Sequence, residues 1–262
     1  MNPPTRIRDA LDGGDVALGA RTLTRSPAMI EVYGQLGLDF VWIDLEHGGP
    51  SGDDAGPIAD YVRAAEAGGI EPLVRLPSGR GQVIRKVLDA GVRTVLIPRV
   101  ETAEEVRAAV KAARFAYDGG PGERGSASGR AANWGAKPDD YAEHEDATTT
   151  VGVMVENEAA MANLEDILAV PELGFVFIGP GDLSVSMGHL LDTGHPDVQT
   201  AIERVRDSCL DAGVPVGRIA NGVDKATAAA ENGYRIVRLG GDVASVRQVV
   251  GDTVTGVREK VE

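Results

Sequence analysis

The stretch Phe40-Val41-Trp42-Ile43-Asp44-Leu45-Glu46-His47-Gly48 decides how this chain is read. An apolar run too short for a helix core ends in three ionisable side chains, Asp44, Glu46 and His47. Short continuous apolar runs of this kind suit a parallel strand covered on both faces. In α/β proteins the loops leaving the C-terminal strand ends converge on one face and carry the chemistry. Asp44, Glu46 and His47 are therefore candidate functional groups, and a salt-bridged rim beneath a loop is the plainer alternative.

Runs of the same type recur along the chain at 16–20, 40–44, 71–76, 94–98, 151–156, 175–179, 214–219 and 236–239. Ala-rich amphipathic stretches lie between them, near 58–67, 82–90, 103–114, 158–168, 196–212, 225–232 and 243–259. Glycine follows several of these as a stop signal, at Gly68-Gly69, Gly91, Gly213 and Gly233. Eight strands joined by helical crossovers predict an α/β fold, a closed (β/α)8 TIM barrel formed as one domain over residues 1–262. An open doubly wound sheet is the competing architecture, but the glycine fingerprint expected after its first strand is absent. One long irregular stretch, 115–150, contains Gly119-Gly120-Pro121-Gly122 and the run from Arg124 to Arg130. Long loops are commonly functional. This one is expected over the catalytic face or at a subunit interface, with a plain flexible insertion as the alternative.

Composition narrows the function. The chain has 262 residues, 43% of them hydrophobic, and a formal net charge of −14 from 40 acidic and 26 basic residues. Such a surface repels phosphate backbones, which argues against nucleic-acid binding. An acid excess with only five lysines resembles the surfaces of halophilic proteins. Cys209 is the sole cysteine, so an intrachain disulfide and a cysteine-based metal site are both excluded. Met1 to Arg6 has no apolar core for a signal peptide and no window approaches a membrane span. A soluble, cytoplasmic protein acting on a small molecule is expected.

On a barrel, polar residues gather where the strands end: Asp44, Glu46 and His47, then Arg75, Glu156, and the turn Gly179-Pro180-Gly181-Asp182. Each also admits a structural role. Arg75 can neutralise Asp44, Glu156 can cap the helix near Asn157, and Asp182 can be an ordinary acid of a first helical turn. Carboxylates without a cysteine or a histidine pair suit a hard divalent cation such as Mg²⁺ or Mn²⁺. Backbone N–H groups of the Gly-Pro-Gly-Asp turn suit a substrate carboxylate. Arg75 suits negative charge developing on a substrate oxygen, and His47 suits proton transfer near neutral pH. Together these describe enolisation of a 2-oxo acid. Schiff-base chemistry needs a lysine at a strand end, whereas Lys86, Lys111 and Lys225 fall in helical stretches, Lys137 in the long loop and Lys260 near the terminus.

Asp44-x-Glu46-His47-Gly48, Val74-Arg75, Val155-Glu156-Asn157 and Phe177 to Ser184 resemble the HpcH/HpaI family of class II, metal-dependent pyruvate aldolases, from about Gly19 to the last helix. The resemblance implies that Glu156 and Asp182 bind a divalent metal ion, Mg²⁺, Mn²⁺ or Co²⁺. It implies that Arg75 contacts pyruvate and stabilises its enolate, and that the N–H groups of Gly181 and Asp182 hold the pyruvate carboxylate. His47 would be the acid/base in a dyad with Asp89, and Asp44 would orient Arg75 or His47. A helix running from about residue 82 to 90 carries Asp89 away from the barrel mouth. The implied dyad therefore calls for a neighbouring subunit, in a homo-oligomer such as a hexamer built as a trimer of dimers. The implied activity is reversible cleavage of a 4-hydroxy-2-oxo acid, a 2-keto-3-deoxy sugar acid or 4-hydroxy-2-oxoheptanedioate, to pyruvate and an aldehyde. Alternatives are a citryl- or malyl-CoA-lyase-like enzyme of the same superfamily and an inactive barrel serving as a scaffold. The sequence departs from the family pattern at Met154, where members carry glutamine, and in a slightly shorter spacing between Arg124 and Ala131.

Overall fold

A computed structural model describes residues 4–261, so Met1 to Pro3 of the stretch read for a signal peptide lie outside the described residues. Ten strands form among the described residues: β1 Ala17–Thr22, β2 Phe40–Asp44, β3 Glu71–Arg75, β4 Thr94–Ile97, β5 Ala116–Tyr117, β6 Gly120–Pro121, β7 Thr150–Val155, β8 Phe175–Ile178, β9 Val216–Ile219 and β10 Ile236–Gly241. Eight of them close into a parallel barrel in the order β1-β10-β9-β8-β7-β4-β3-β2, while β5 and β6 make a separate small hairpin. The expected closed (β/α)8 barrel is thus the fold, and the open sheet is not. No helix among the described residues is long and apolar enough to cross a membrane.

The barrel has two apolar layers because alternate strand residues face opposite ways. Inside lie Ala17, Phe40, Trp42, Leu73, Leu96, Met154, Phe175, Phe177 and Ile236, joined by Ile7 from the helix Arg6–Gly13. Outward-facing Val41, Ile43, Val74, Val95, Val153 and Val176 pack beneath the helices instead. The lumen accommodates its aromatic rings by pairing them with glycine. A Cβ on Gly19 would come within 2.4 Å of the Phe40 ring, and one on Gly152 within 2.2 Å of the Phe175 ring. The helix Arg6–Gly13 plugs the end of the barrel where the strands begin. Glu71, at the start of β3, accepts from the Ile7 N–H at 2.8 Å and from the Thr94 hydroxyl at 2.5 Å. Complete burial pushes the Glu71 carboxyl up to about 7, against the pull of those two donors.

Several elements differ from their expected form. The stretch between β1 and β2 contains a helix, Pro27–Gln35, that the apolar periodicity does not announce. It packs closely on the helix Ala55–Gly68, since a Cβ on Gly34 would lie 2.1 Å from the Gly68 carbonyl oxygen. The stretch 158–168 breaks at Asn163 into the helices Glu158–Ala162 and Leu164–Leu168.

The segment 115–150 is irregular over much of its length, notably 122–128, but it is partly structured and does not cover the catalytic face of its own barrel. It contains the β5–β6 hairpin and the helix Tyr141–Thr148, and it leads from the end of the helix Ala103–Ala112 into the start of β7. That connection lies on the rim where strands begin, opposite their C-terminal ends. Buried Glu145 fastens it there, sharing its carboxylate between Arg93 (Nη2 at 2.5 Å), just before β4, and Arg124.

At the other rim, Asp242 closes the seam between the first and last strands. Its carboxylate accepts from the Thr22 hydroxyl (3.0 Å), the Leu23 N–H (2.9 Å), the Thr24 N–H (3.0 Å) and hydroxyl (2.5 Å), and the Val243 N–H (2.8 Å). Burial alone would raise its pKa, but these donors override burial and hold the carboxyl down at about 2. A folded-state pKa below the ordinary 3.8 means that this stabilisation is complete above that value and is lost as pH falls from 3.8 towards about 2. Asp242→Ala, which orphans several buried donors, is expected to cost about 2–3 kcal/mol by urea unfolding at neutral pH. The deficit relative to wild type should shrink below pH 3.

Candidate active site

The C-terminal ends of β2, β3, β7 and β8 surround one mouth, and the strand-end residues singled out above lie there. Asp44 and Arg75 end neighbouring strands in direct register. The pair is bidentate, with Arg75 Nε donating to Asp44 Oδ1 at 2.9 Å and Nη2 to Oδ2 at 2.6 Å. Both side chains are buried, and the Arg75 guanidinium lies 5.8 Å from the centroid of the Trp42 ring. Asp44 also accepts from Arg21 Nη2 at 2.9 Å and from the N–H groups of Glu46 (3.1 Å) and His47 (3.3 Å). Burial would raise the Asp44 pKa, yet Arg75, the His47 N–H and Arg21 together hold it below its ordinary value. Asp44 therefore stays ionised, and its work is positional. It aligns the Arg75 fork and turns the chain so that the His47 side chain, 62% exposed, stands at the mouth.

Glu46 sits between these groups, its Oε2 2.8 Å from Arg75 Nη1 and 3.6 Å from His47 Nε2. Thus Arg75 does neutralise Asp44, as one structural alternative supposed, and still turns Nη1 towards Glu46 and the lumen. Met154 fills the lumen beside it, with its thioether sulfur 3.9 Å from Nη1. That contact is weaker than the one a glutamine amide would offer.

Glu156, just past β7, does not cap the following helix. Asn157 does so, accepting from the Ala160 N–H at 2.8 Å. Glu156 is 2% exposed, and its Oε1 accepts from the Arg99 N–H at 2.7 Å. Its Oε2 is buried with no hydrogen-bond partner. Burial, then the negative charges of Asp182 and Glu46, raise its pKa to about 7 despite the Arg99 N–H. Gly179 is required beside it, because a Cβ there would approach Oε2 to 2.4 Å. Asp182 stands exposed in the first turn of the helix Pro180–Ser186, so the first-turn role supposed for it holds too. A buried carboxylate oxygen without a donor, repelled by a second carboxylate, is short of positive charge. Oxygen donors of this kind fit a hard divalent cation held by few protein ligands.

Asp89 is not brought to this mouth. It ends the helix Gly81–Asp89 on the opposite rim, where its carbonyl accepts from the Ala131 N–H at 3.1 Å. Half-buried there, its carboxyl is raised by desolvation, against the pull of Arg124. Lys86, Lys111, Lys225 and Lys260 lie in helices and Lys137 in the 115–150 segment, so no lysine ends a barrel strand.

Sequence reasoning missed three groups at the mouth. The Arg99 N–H is aimed by a left-handed residue (φ 55°) after β4, which sequence does not betray. Arg21 lies in β1 beyond the run read as that strand. Arg238 lies in β10 with the parity of inward-facing Ile236, its guanidinium 5.4 Å from the Trp42 ring centroid. Strand parity was the available signal for both arginines.

Known proteins resemble this chain over nearly its whole length. A family model described as HpcH/HpaI aldolase/citrate lyase matches residues 22–249. The chain is 35% identical to a hydroxypyruvate/pyruvate aldolase of Roseobacter denitrificans, covering 92% of this chain and 93% of that one. It is 32% identical to a 5-keto-4-deoxy-D-glucarate aldolase of Salmonella paratyphi A, over 95% and 96% of the two chains. A crystal structure of an HpcH/HpaI aldolase/citrate lyase family protein from Burkholderia cenocepacia superposes with a TM-score of 0.89 at 34% identity, covering 97% of this chain and 99% of that one. With the match running through every barrel strand from the end of β1 onward, the chain belongs to the HpcH/HpaI aldolase/citrate lyase family.

Proposed function

We propose that this protein is a carbon–carbon lyase, a divalent-metal-dependent aldolase that reversibly cleaves a 4-hydroxy-2-oxo acid to pyruvate and an aldehyde. The substrate is of the 2-keto-3-deoxy sugar acid or 4-hydroxy-2-oxoheptanedioate type, and similarity to a 5-keto-4-deoxy-D-glucarate aldolase supports the sugar-acid choice. The observation that supports the reading best is the unpartnered buried oxygen of Glu156 two strands round the mouth from the Asp44-aligned Arg75 fork, near enough for each charge to act on the other.

In this reading Glu156 and Asp182 hold a cation, Mg²⁺, Mn²⁺ or Co²⁺, which when bound supplies Lewis-acid polarisation of the 2-oxo group. The N–H groups of Gly181 and Asp182, in the first helical turn, receive the pyruvate carboxylate. Arg75 donates to the oxygen that gains negative charge as the enolate develops. His47 accepts the proton of the C4 hydroxyl while the C3–C4 bond breaks. The bonding pair passes into the enolate, and a proton returned to C3 completes pyruvate. Exchange of the pyruvate methyl protons with solvent, dependent on added Mg²⁺, tests the enolising half alone. An inactive scaffold would show none.

Asp89 completes the proposed dyad only from another subunit. Its carboxylate makes no ion pair among the described residues, and it lines a cavity of about 410 Å³ with Ala127, Gly129, Arg130 and exposed Trp134. We read this rim as the surface that meets the mouth of a neighbouring subunit, in a homo-oligomer such as a trimer of dimers.

Chelation is expected to abolish turnover and Mg²⁺, Mn²⁺ or Co²⁺ to restore it, while borohydride with pyruvate leaves the enzyme active. Covalent trapping of pyruvate on a lysine by mass spectrometry would contradict this. Arg75→Lys keeps the charge but loses the fork, and kcat should fall about 10²–10³-fold by analogy with a lost oxyanion donor. Near-normal kcat with a raised KM would reduce Arg75 to binding. Mixing inactive His47→Ala and Asp89→Ala subunits should restore part of the activity through shared sites. Mixed oligomers that stay inactive would refute the shared dyad.

A further inference from the structure

Arg238 is a charge in search of a partner. Its side chain enters the lumen from β10, above Ile236 and over the Trp42 ring. Among the described residues it forms no ion pair and no hydrogen bond, and its Nε is buried without an acceptor. The nearby carboxylate, Asp44, is already committed to five donors from Arg75, Arg21, Glu46 and His47. Burial, with repulsion from Arg21 and Arg75, lowers the Arg238 pKa to about 10, which leaves it charged at neutral pH. The face of Trp42 attracts a cation but accepts none of its in-plane N–H bonds. A half-buried guanidinium beside two other guanidinium groups is unfavourable without an anion, and such lapses in local pairing occur at functional sites.

Its place round the barrel says which anion. Glu156 follows β7 and Asp182 begins the helix after β8, so the proposed pyruvate half lies on that side. The strand order puts β10, β1 and β2 across the lumen from β7 and β4. Arg21 rises from β1 in register with Gly241 of β10, and His47 follows β2. The aldehyde half, whose hydroxyl proton His47 accepts, therefore extends over β1 and β10.

We propose that Arg238, flanked by Arg21, forms a second anion subsite in the barrel mouth that receives a carboxylate or phosphate carried by the aldehyde half of the substrate. This rests on the aldolase reading, and it makes Arg238 a determinant of acceptor specificity.

The kinetic test measures aldol addition of pyruvate, with Mg²⁺, to matched acceptors: succinic semialdehyde against butanal, and glyceraldehyde 3-phosphate against glyceraldehyde. Wild type should prefer at least one anionic acceptor over its neutral partner, and the preferred pair distinguishes carboxylate from phosphate. Arg238→Met should lower that preference by about tenfold or more, mainly through the KM of the aldehyde, and Arg238→Lys should retain part of it. An unchanged preference in Arg238→Met, or no anionic preference in wild type, overturns the proposal. A second arm is independent of catalysis. In a Trp134→Phe background Trp42 alone reports, and metal-free protein titrated with succinate or inorganic phosphate should show a saturable fluorescence change that Arg238→Met or Arg238→Lys weakens. No change with either anion overturns the subsite. A wild type that fails to exchange pyruvate methyl protons refutes the aldolase reading, and the titration then decides the subsite alone.

Discussion

The buried pair of Asp44 and Arg75 organises the catalytic face. A carboxylate and a guanidinium removed from water cost more in lost hydration than a single contact returns, so they persist only with full hydrogen bonding. Asp44 meets that demand by accepting from side chains on β1 and β3 and from the two N–H groups that follow β2. Three strand ends are thereby tied to one carboxylate. Removing it would leave Arg21 beside Arg238 without its carboxylate partner and Arg75 held by Glu46 alone. Those two N–H bonds also bend the chain out of the strand, which is why His47 stands at the mouth while Asp44 stays beneath it.

Two carboxylates of similar burial are driven in opposite directions by their neighbours. Asp44 is 3% exposed and Glu156 2%, yet Asp44 is held low by arginines while Glu156 is pushed up to about 7 by burial and by other carboxylates. The mouth is consequently polarised. Arg21 and Arg238 line the side formed by β1 and β10, Glu156 and Asp182 line the side of β7 and β8, and Arg75 with Glu46 stands between them. A substrate with a chelating 2-oxo acid at one end has only one favourable orientation in such a field. The polarity follows from strand order, not from any single residue.

Much of this was legible in the sequence because barrel strands are short β-branched runs between glycine stops, and because function follows their C-terminal ends. Asp44, His47, Arg75, Glu156 and Asp182 could all be found that way. The helix Pro27–Gln35 was not, since its fit depends on Gly34 meeting Gly68, a contact between two helices. The folded nature of 115–150 was hidden for a similar reason. Its order comes from Glu145 pairing with Arg93, 52 residues earlier, as well as with Arg124. Arg238 looked like an ordinary strand residue until the lumen gave its parity a meaning. Each miss is an interaction between distant segments, which local periodicity cannot encode.

The rim opposite the mouth is built as carefully as the mouth itself. Glu71 ties the plugging helix to β3 and β4, and Glu145 ties the 115–150 segment to the residue preceding β4. Arg114 adds a bond to the Thr149 carbonyl at 2.8 Å and an ion pair with Glu172 at 2.8 Å. Arg130 pairs with Glu66, and the Ala131 N–H holds the Asp89 carbonyl. Such cross-links make a poor lid, because a lid must move at little free-energy cost. They suit a preformed docking surface, in which the backbone around Asp89 is ordered before any partner arrives and little entropy remains to be lost. The order of this rim rests on arginine–glutamate pairs, buried where Glu145 meets Arg93 and Arg124 and more exposed where Arg114 meets Glu172.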